Sequence, residues 1–104
     1  MVQLPESLLR YLQDLPTRFP QIEKIVLFGS RSLGNGKPGS YVDLAFFGKE
    51  LNASTLFQIH QELEDETTFP YFFDVVHGDE LSYKPLIQHI QDHGSVVYPD
   101  TLTG

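Results

Sequence analysis

Helical and strand-like patterns alternate along this 104-residue chain and predict one small sheet with helices packed against it. Two sets of observations support that reading. Short β-branched and aromatic runs, at Ile25 to Phe28, Tyr71 to Val76 and Val96 to Tyr98, read as strands. Between them, apolar residues recur at helical spacing at Leu4, Leu8, Leu12 and Leu15, at Leu56, Ile59 and Leu63, and at Leu86, Ile87 and Ile90. The order is α-β-α-β-α-β-α-β, and alternation alone makes a parallel α/β sheet the first expectation. The length allows one core and no second, so residues 1–104 are read as a single domain.

The chain carries fourteen acids against seven bases, for a net charge of −7. Its basic residues are scattered, whereas a polynucleotide binder needs a basic stripe to neutralise phosphates, so direct nucleic-acid binding is not expected. An acidic protein can still take a triphosphate through a bridging divalent cation, or attract a basic protein partner. Apolar runs are only a few residues long, and the opening MVQLPESLLR lacks a signal-peptide layout. With no cysteine, disulfides and thiolate metal sites are ruled out, and a cytoplasmic protein is expected.

The first helix begins near Pro5 and its pattern closes at Pro16, with a connecting turn over Thr17 to Glu23. The strand Ile25 to Phe28 stops at Gly29-Ser30, where glycine tolerates a tight turn. Ser30, Arg31 and Ser32 then open a helix and offer two hydroxyls and a guanidinium suited to phosphate oxygens. The segment Gly34 to Ser40 brings the chain back to a second strand, on which Tyr41, Asp43 and Ala45 share a face. Asn52 or Ser54 caps the next helix, whose far end, Glu62, Glu64, Asp65 and Glu66, reads as a solvated acid cluster. On the third strand, Asp74 interrupts an apolar run, and a carboxylate there calls for solvent, a partner or a metal. His77 to Glu80 forms a turn, Ser82 caps a last helix, Gly94 ends it, and a tail starts at Pro99. His89 and His93 lie one helical turn apart, too few ligands for zinc, and read as solvated surface.

Gly29-Ser30, ten residues, then Tyr41-Val42-Asp43 resembles the Gly-Ser-x10-Asp-x-Asp signature of the DNA polymerase β-like nucleotidyltransferases. Among these the chain is most similar to the minimal nucleotidyltransferases, or MNT antitoxins, usually paired with HEPN-domain toxins. The resemblance covers nearly the whole chain and replaces the parallel-sheet expectation with an α+β fold, the polymerase β-like palm with its small mixed sheet. It implies a nucleotide-binding turn at Gly29, Ser30 and Arg31, and Asp43 and Asp74 as Mg²⁺ ligands, with Asp74 also the general base. It further implies ATP as substrate, a HEPN toxin as partner, and transfer of AMP to a tyrosine hydroxyl of that toxin. Homo- or hetero-oligomers are compatible with it.

The chain departs from the signature at one position. Tyr41 stands where the family has the first Asp of Asp-x-Asp, the carboxylate expected to touch both of two metal ions. A phenol is not an anion at neutral pH, so a second ion is poorly held and activity is impaired. The alternative is a non-catalytic antitoxin that neutralises its partner by complex formation.

Overall fold

The computed structural model describes residues 4–34, 39 and 41–99. Most of the expected return through Gly34 to Ser40, and the tail beyond Pro99, lie outside the described residues. The elements are α1 (Glu6–Arg18), β1 (Lys24–Phe28), the one-turn α2 (Ser30–Leu33), β2 (Val42–Phe47), α3 (Ala53–Gln61), β3 (Phe73–His77), α4 (Lys84–His93) and β4 (Ser95–Tyr98). The four strands form one sheet in the order β3-β2-β1-β4. β1 runs antiparallel to both β2 and β4, and β2 is parallel to β3, so the sheet is mixed. A parallel crossover needs a covering helix, and between β2 and β3 that helix is α3. Between β1 and β2 the only described helix is the single turn α2, and the chain returns antiparallel.

Strand alternation divides the side chains between two layers. Ile25 and Leu27 of β1, Val42, Leu44 and Phe46 of β2 and Phe73 of β3 pack against Leu8, Leu12 and Leu15 of α1 and Ile59 of α3. The opposite face carries Val26, Phe28 and Ala45, which form a smaller cluster with Ile90 of α4. Asp43 and Asp74 belong by register to this second face, on which α4 packs.

Several helix ends differ from the sequence expectation for identifiable reasons. α1 continues two residues past Pro16. Proline removes one donor there, but Leu15 is fully buried, the Phe19 N–H reaches the Leu15 carbonyl at 2.9 Å, and Thr17 Oγ1 donates to the Asp14 carbonyl at 2.7 Å. Asn52, one of the two cap candidates, accepts the Thr55 N–H at 2.9 Å. α3 then passes into a π-helical turn at Glu62–Glu66. Its acids are not simply solvated: Glu62 accepts from the Tyr11 hydroxyl and from Arg18, and Glu64 accepts the Phe73 N–H at 2.8 Å. Tyr83, not Ser82, precedes α4, which starts without a side-chain cap because Pro85 presets the helical φ of its first turn. Gly94 has an extended backbone rather than a left-handed one. Glycine is needed there for space, since a Cβ would collide with the Ile90 carbonyl and Val26 Cγ1.

Candidate functional site

The site begins where β1 ends. Gly29 has φ 79° and ψ −158°, a region open essentially to glycine alone, and its carbonyl accepts the Ser32 and Leu33 N–H groups to start α2. A side chain at this position would run into the Asp43 carboxylate. The turn and Asp43 are therefore in van der Waals contact, which gives the Gly-Ser pair and the later aspartate a common location. Ser30 is half-buried at the start of α2. Arg31 is not an exposed arginine: it is buried, with its guanidinium 4.8 Å above the Tyr71 ring. Ser32 is buried, donating to the His93 carbonyl and lying 3.0 Å from Ser95 Oγ.

Asp43 and Asp74 are register partners in the parallel β2–β3 pair and project from one face of neighbouring strands. Asp43 is half-buried and Asp74 exposed. Burial is the main reason that the Asp43 carboxyl titrates above its usual range, and the Asp74 charge adds to it. His89 and Arg31 act in the opposite direction. Such a pair is costly while both groups are ionised and bare, and a cation between them relieves the cost.

Tyr41 precedes Asp43 by two residues and points to the same face. It is 54% exposed and stacks on Phe72, itself 62% exposed, with ring centroids 5.7 Å apart and planes inclined by 29°. The rim of the carboxylate pair is thus aromatic where a third oxygen donor would serve a metal. Among the described residues, no group of three or more His, Cys, Asp or Glu side chains converges as a metal cluster. Two carboxylates on one face fit a single hard cation such as Mg²⁺, whose octahedron water and phosphate oxygens would complete. A cavity of about 550 Å³ at the other end of this face, lined by Lys24, Phe47, Asp79, Leu81, Ile90 and Val96 among others, contains neither carboxylate.

His89 is the site residue that the sequence reading missed. Rather than facing solvent, it is half-buried, and its Nε2 accepts the Gly29 N–H at 3.0 Å. Its ring meets Phe28 edge-on at 6.3 Å and lies 5.5 Å from His93. A signal was available: His89 falls between Leu86 and Ile90 on the apolar side of α4.

A mixed four-stranded sheet with a Gly-Ser turn beside two in-register carboxylates defines the class, a nucleotidyltransferase-type palm. The sequence profile described as "Polymerase beta, Nucleotidyltransferase" matches residues 10–101, and the chain belongs to that family. No curated protein matches the chain significantly. Among solved structures it is similar to a toxin–antitoxin crystal structure with AMP-PNP, at 24% identity and TM-score 0.73 over 91% of this chain and 73% of that one. A mutant MntA–HpeT toxin–antitoxin structure is 25% identical, with TM-score 0.69 over 90% and 72%. The MNT antitoxin complex of a tri-AMPylated Shewanella oneidensis HEPN toxin is 21% identical, with TM-score 0.65 over 90% and 72%. Among the described residues, no helix is long and apolar enough to cross a membrane.

Proposed function

We propose that this protein is an MNT-type antitoxin that binds a nucleoside triphosphate with one Mg²⁺ ion and pairs with a HEPN-domain toxin, its capacity to transfer AMP reduced by Tyr41. The observation that carries this reading is the register pairing of Asp43 with Asp74 directly beside the Gly29 turn. Asp43 and Asp74 would hold the ion, Ser30 would bind the β and γ phosphates, and the neighbouring buried Arg31 would add its positive charge. When bound, the ion neutralises charge on the phosphate oxygens. In the transfer, the acceptor tyrosine oxygen bonds to the α-phosphorus, the bond to the β-phosphate oxygen breaks, and pyrophosphate leaves. Asp74, the exposed member of the pair, takes the hydroxyl proton. The complex between a related antitoxin and an AMPylated HEPN toxin supports this choice of acceptor.

A second reading is favoured by a separate observation. The Tyr41–Phe72 stack occupies the rim where the family's first carboxylate would stand, and it suits a protein that neutralises its partner by binding alone. Calorimetric titration of Mg-ATP into the protein and into Tyr41→Asp separates the two. The first reading expects binding to both, at least tenfold tighter and more strongly Mg²⁺-dependent in Tyr41→Asp, together with AMP transfer to a HEPN partner by that variant. Absence of binding in both, with partner neutralisation intact, would establish the second.

A further inference from the structure

We infer that His89 is a positioning residue for the nucleotide-binding turn, holding the Gly29 peptide in place through a neutral imidazole nitrogen. Its functional consequence rests on the nucleotide-binding reading given above. Its structural basis does not. Gly29 adopts a backbone conformation that side-chain sterics do not enforce, because glycine has no Cβ, so the orientation of its peptide depends on what its N–H and carbonyl meet. The carbonyl is engaged by Ser32 and Leu33 within α2. The N–H, which belongs to the preceding peptide, donates to His89 Nε2 at 3.0 Å.

The imidazole is itself held in place. Phe28, the last residue of β1, meets it edge-on, and His93 lies one turn further along α4. Three residues beyond Gly29, Ser32 donates to the His93 carbonyl and contacts Ser95 at the start of β4. Both ends of α2 are therefore tied to α4 or to the residues just after it. Acceptance of an N–H requires a lone pair on Nε2, which places the ring proton of the neutral imidazole on Nδ1. An alanine at this position leaves the Gly29 N–H without its partner. A glutamine offers a carbonyl oxygen at nearly the same reach as Nε2.

The test compares the full chain with His89→Ala and His89→Gln. One readout is the Gly29 amide in ¹H–¹⁵N spectra, its proton shift and its exchange rate. The other is affinity for Mg-ATP. In His89→Ala the Gly29 proton moves upfield and exchanges faster, and Mg-ATP binds about three- to tenfold more weakly, the size of one neutral hydrogen bond. In His89→Gln both readouts stay near those of the unmodified protein. Unchanged affinity in His89→Ala, or His89→Gln as weak as His89→Ala, overturns the positioning role. If the unmodified protein binds no Mg-ATP, the nucleotide-binding reading fails, and the Gly29 amide alone decides. A Gly29 resonance unmoved by His89→Ala then overturns the inference, and a shift restored by His89→Gln sustains it.

Discussion

Replacing Gly29 by alanine tests the link between the turn and the carboxylate in energetic terms. The backbone angles of Gly29 lie where a residue with a Cβ carries about 1–3 kcal/mol of strain. The added methyl also meets the Asp43 carboxylate, which must swing off its preferred rotamer at about 0.5–1.5 kcal/mol. Together these give a destabilisation of about 2–4 kcal/mol, a large part of the roughly 5–15 kcal/mol that holds a domain of this size folded. The melting temperature should fall by roughly 10–30 °C, given about 4–8 °C per kcal/mol for a small domain. Urea unfolding followed by circular dichroism measures the loss directly. The two contributions separate in a double-variant cycle with Asp43→Ala. Removing the carboxylate relieves the collision and leaves the backbone strain, so the double variant should recover about 1 kcal/mol relative to the sum of the singles. A Gly29→Ala protein within about 0.5 kcal/mol of the unmodified one would refute the glycine-only conformation, since ordinary surface changes stay in that range. Strict additivity would refute the contact with Asp43.

Two further outcomes follow from the same geometry. Asp43→Asn should stabilise the fold at neutral pH by a few tenths to about 1 kcal/mol, because it removes a charge disfavoured first by partial burial and second by the solvent-screened Asp74 carboxylate. Because the folded protein raises the Asp43 carboxyl above its ordinary value of 3.8, the native state binds more protons than the unfolded one between that value and the raised one. Stability therefore falls as pH rises through this window, and the advantage of asparagine, full above it, should vanish below pH 3.8; a pH series of melting curves on both proteins checks the sign. Ser32→Ala removes the donor to the His93 carbonyl and the contact with Ser95 from a buried position, and should cost about 1–3 kcal/mol in urea unfolding while accelerating amide exchange in α2.

Much of the fold could be read from residue patterns because its elements obey local rules. The leucines of α1 recur at helical spacing and are buried as that spacing requires, and Asn52 caps α3 as its side-chain chemistry predicts. Strand direction could not be read this way. β1 and β2 are antiparallel, and the likeness to a palm fold anticipated a mixed sheet without saying which strands pair in which direction. Alternation put Tyr41, Asp43 and Ala45 on one face, but the register that pairs Asp43 with Asp74 depends on how two strands meet across α3. The role of His89 was hidden for a similar reason. A histidine beside Leu86 and Ile90 looks like the margin of an apolar stripe until the sheet brings Gly29, 60 positions away, against it. The acids after α3 misled for the opposite reason: their partners, Tyr11, Arg18 and the Phe73 amide, are long-range or hang on a π-helical turn that no local pattern announced.

The turn at Gly29 is bounded by α2 in front, β2 behind and α4 above, pieces of chain that meet only when the sheet is complete. Fraying of α4, whose buried Ile90 belongs to the smaller cluster rather than the larger one, releases Gly29 and Ser32 together. The last helix is thus a latch on the turn, joined to it by the Gly29 N–H and the Ser32 hydroxyl. Amide protection at Gly29 and in α4 should therefore rise and fall together.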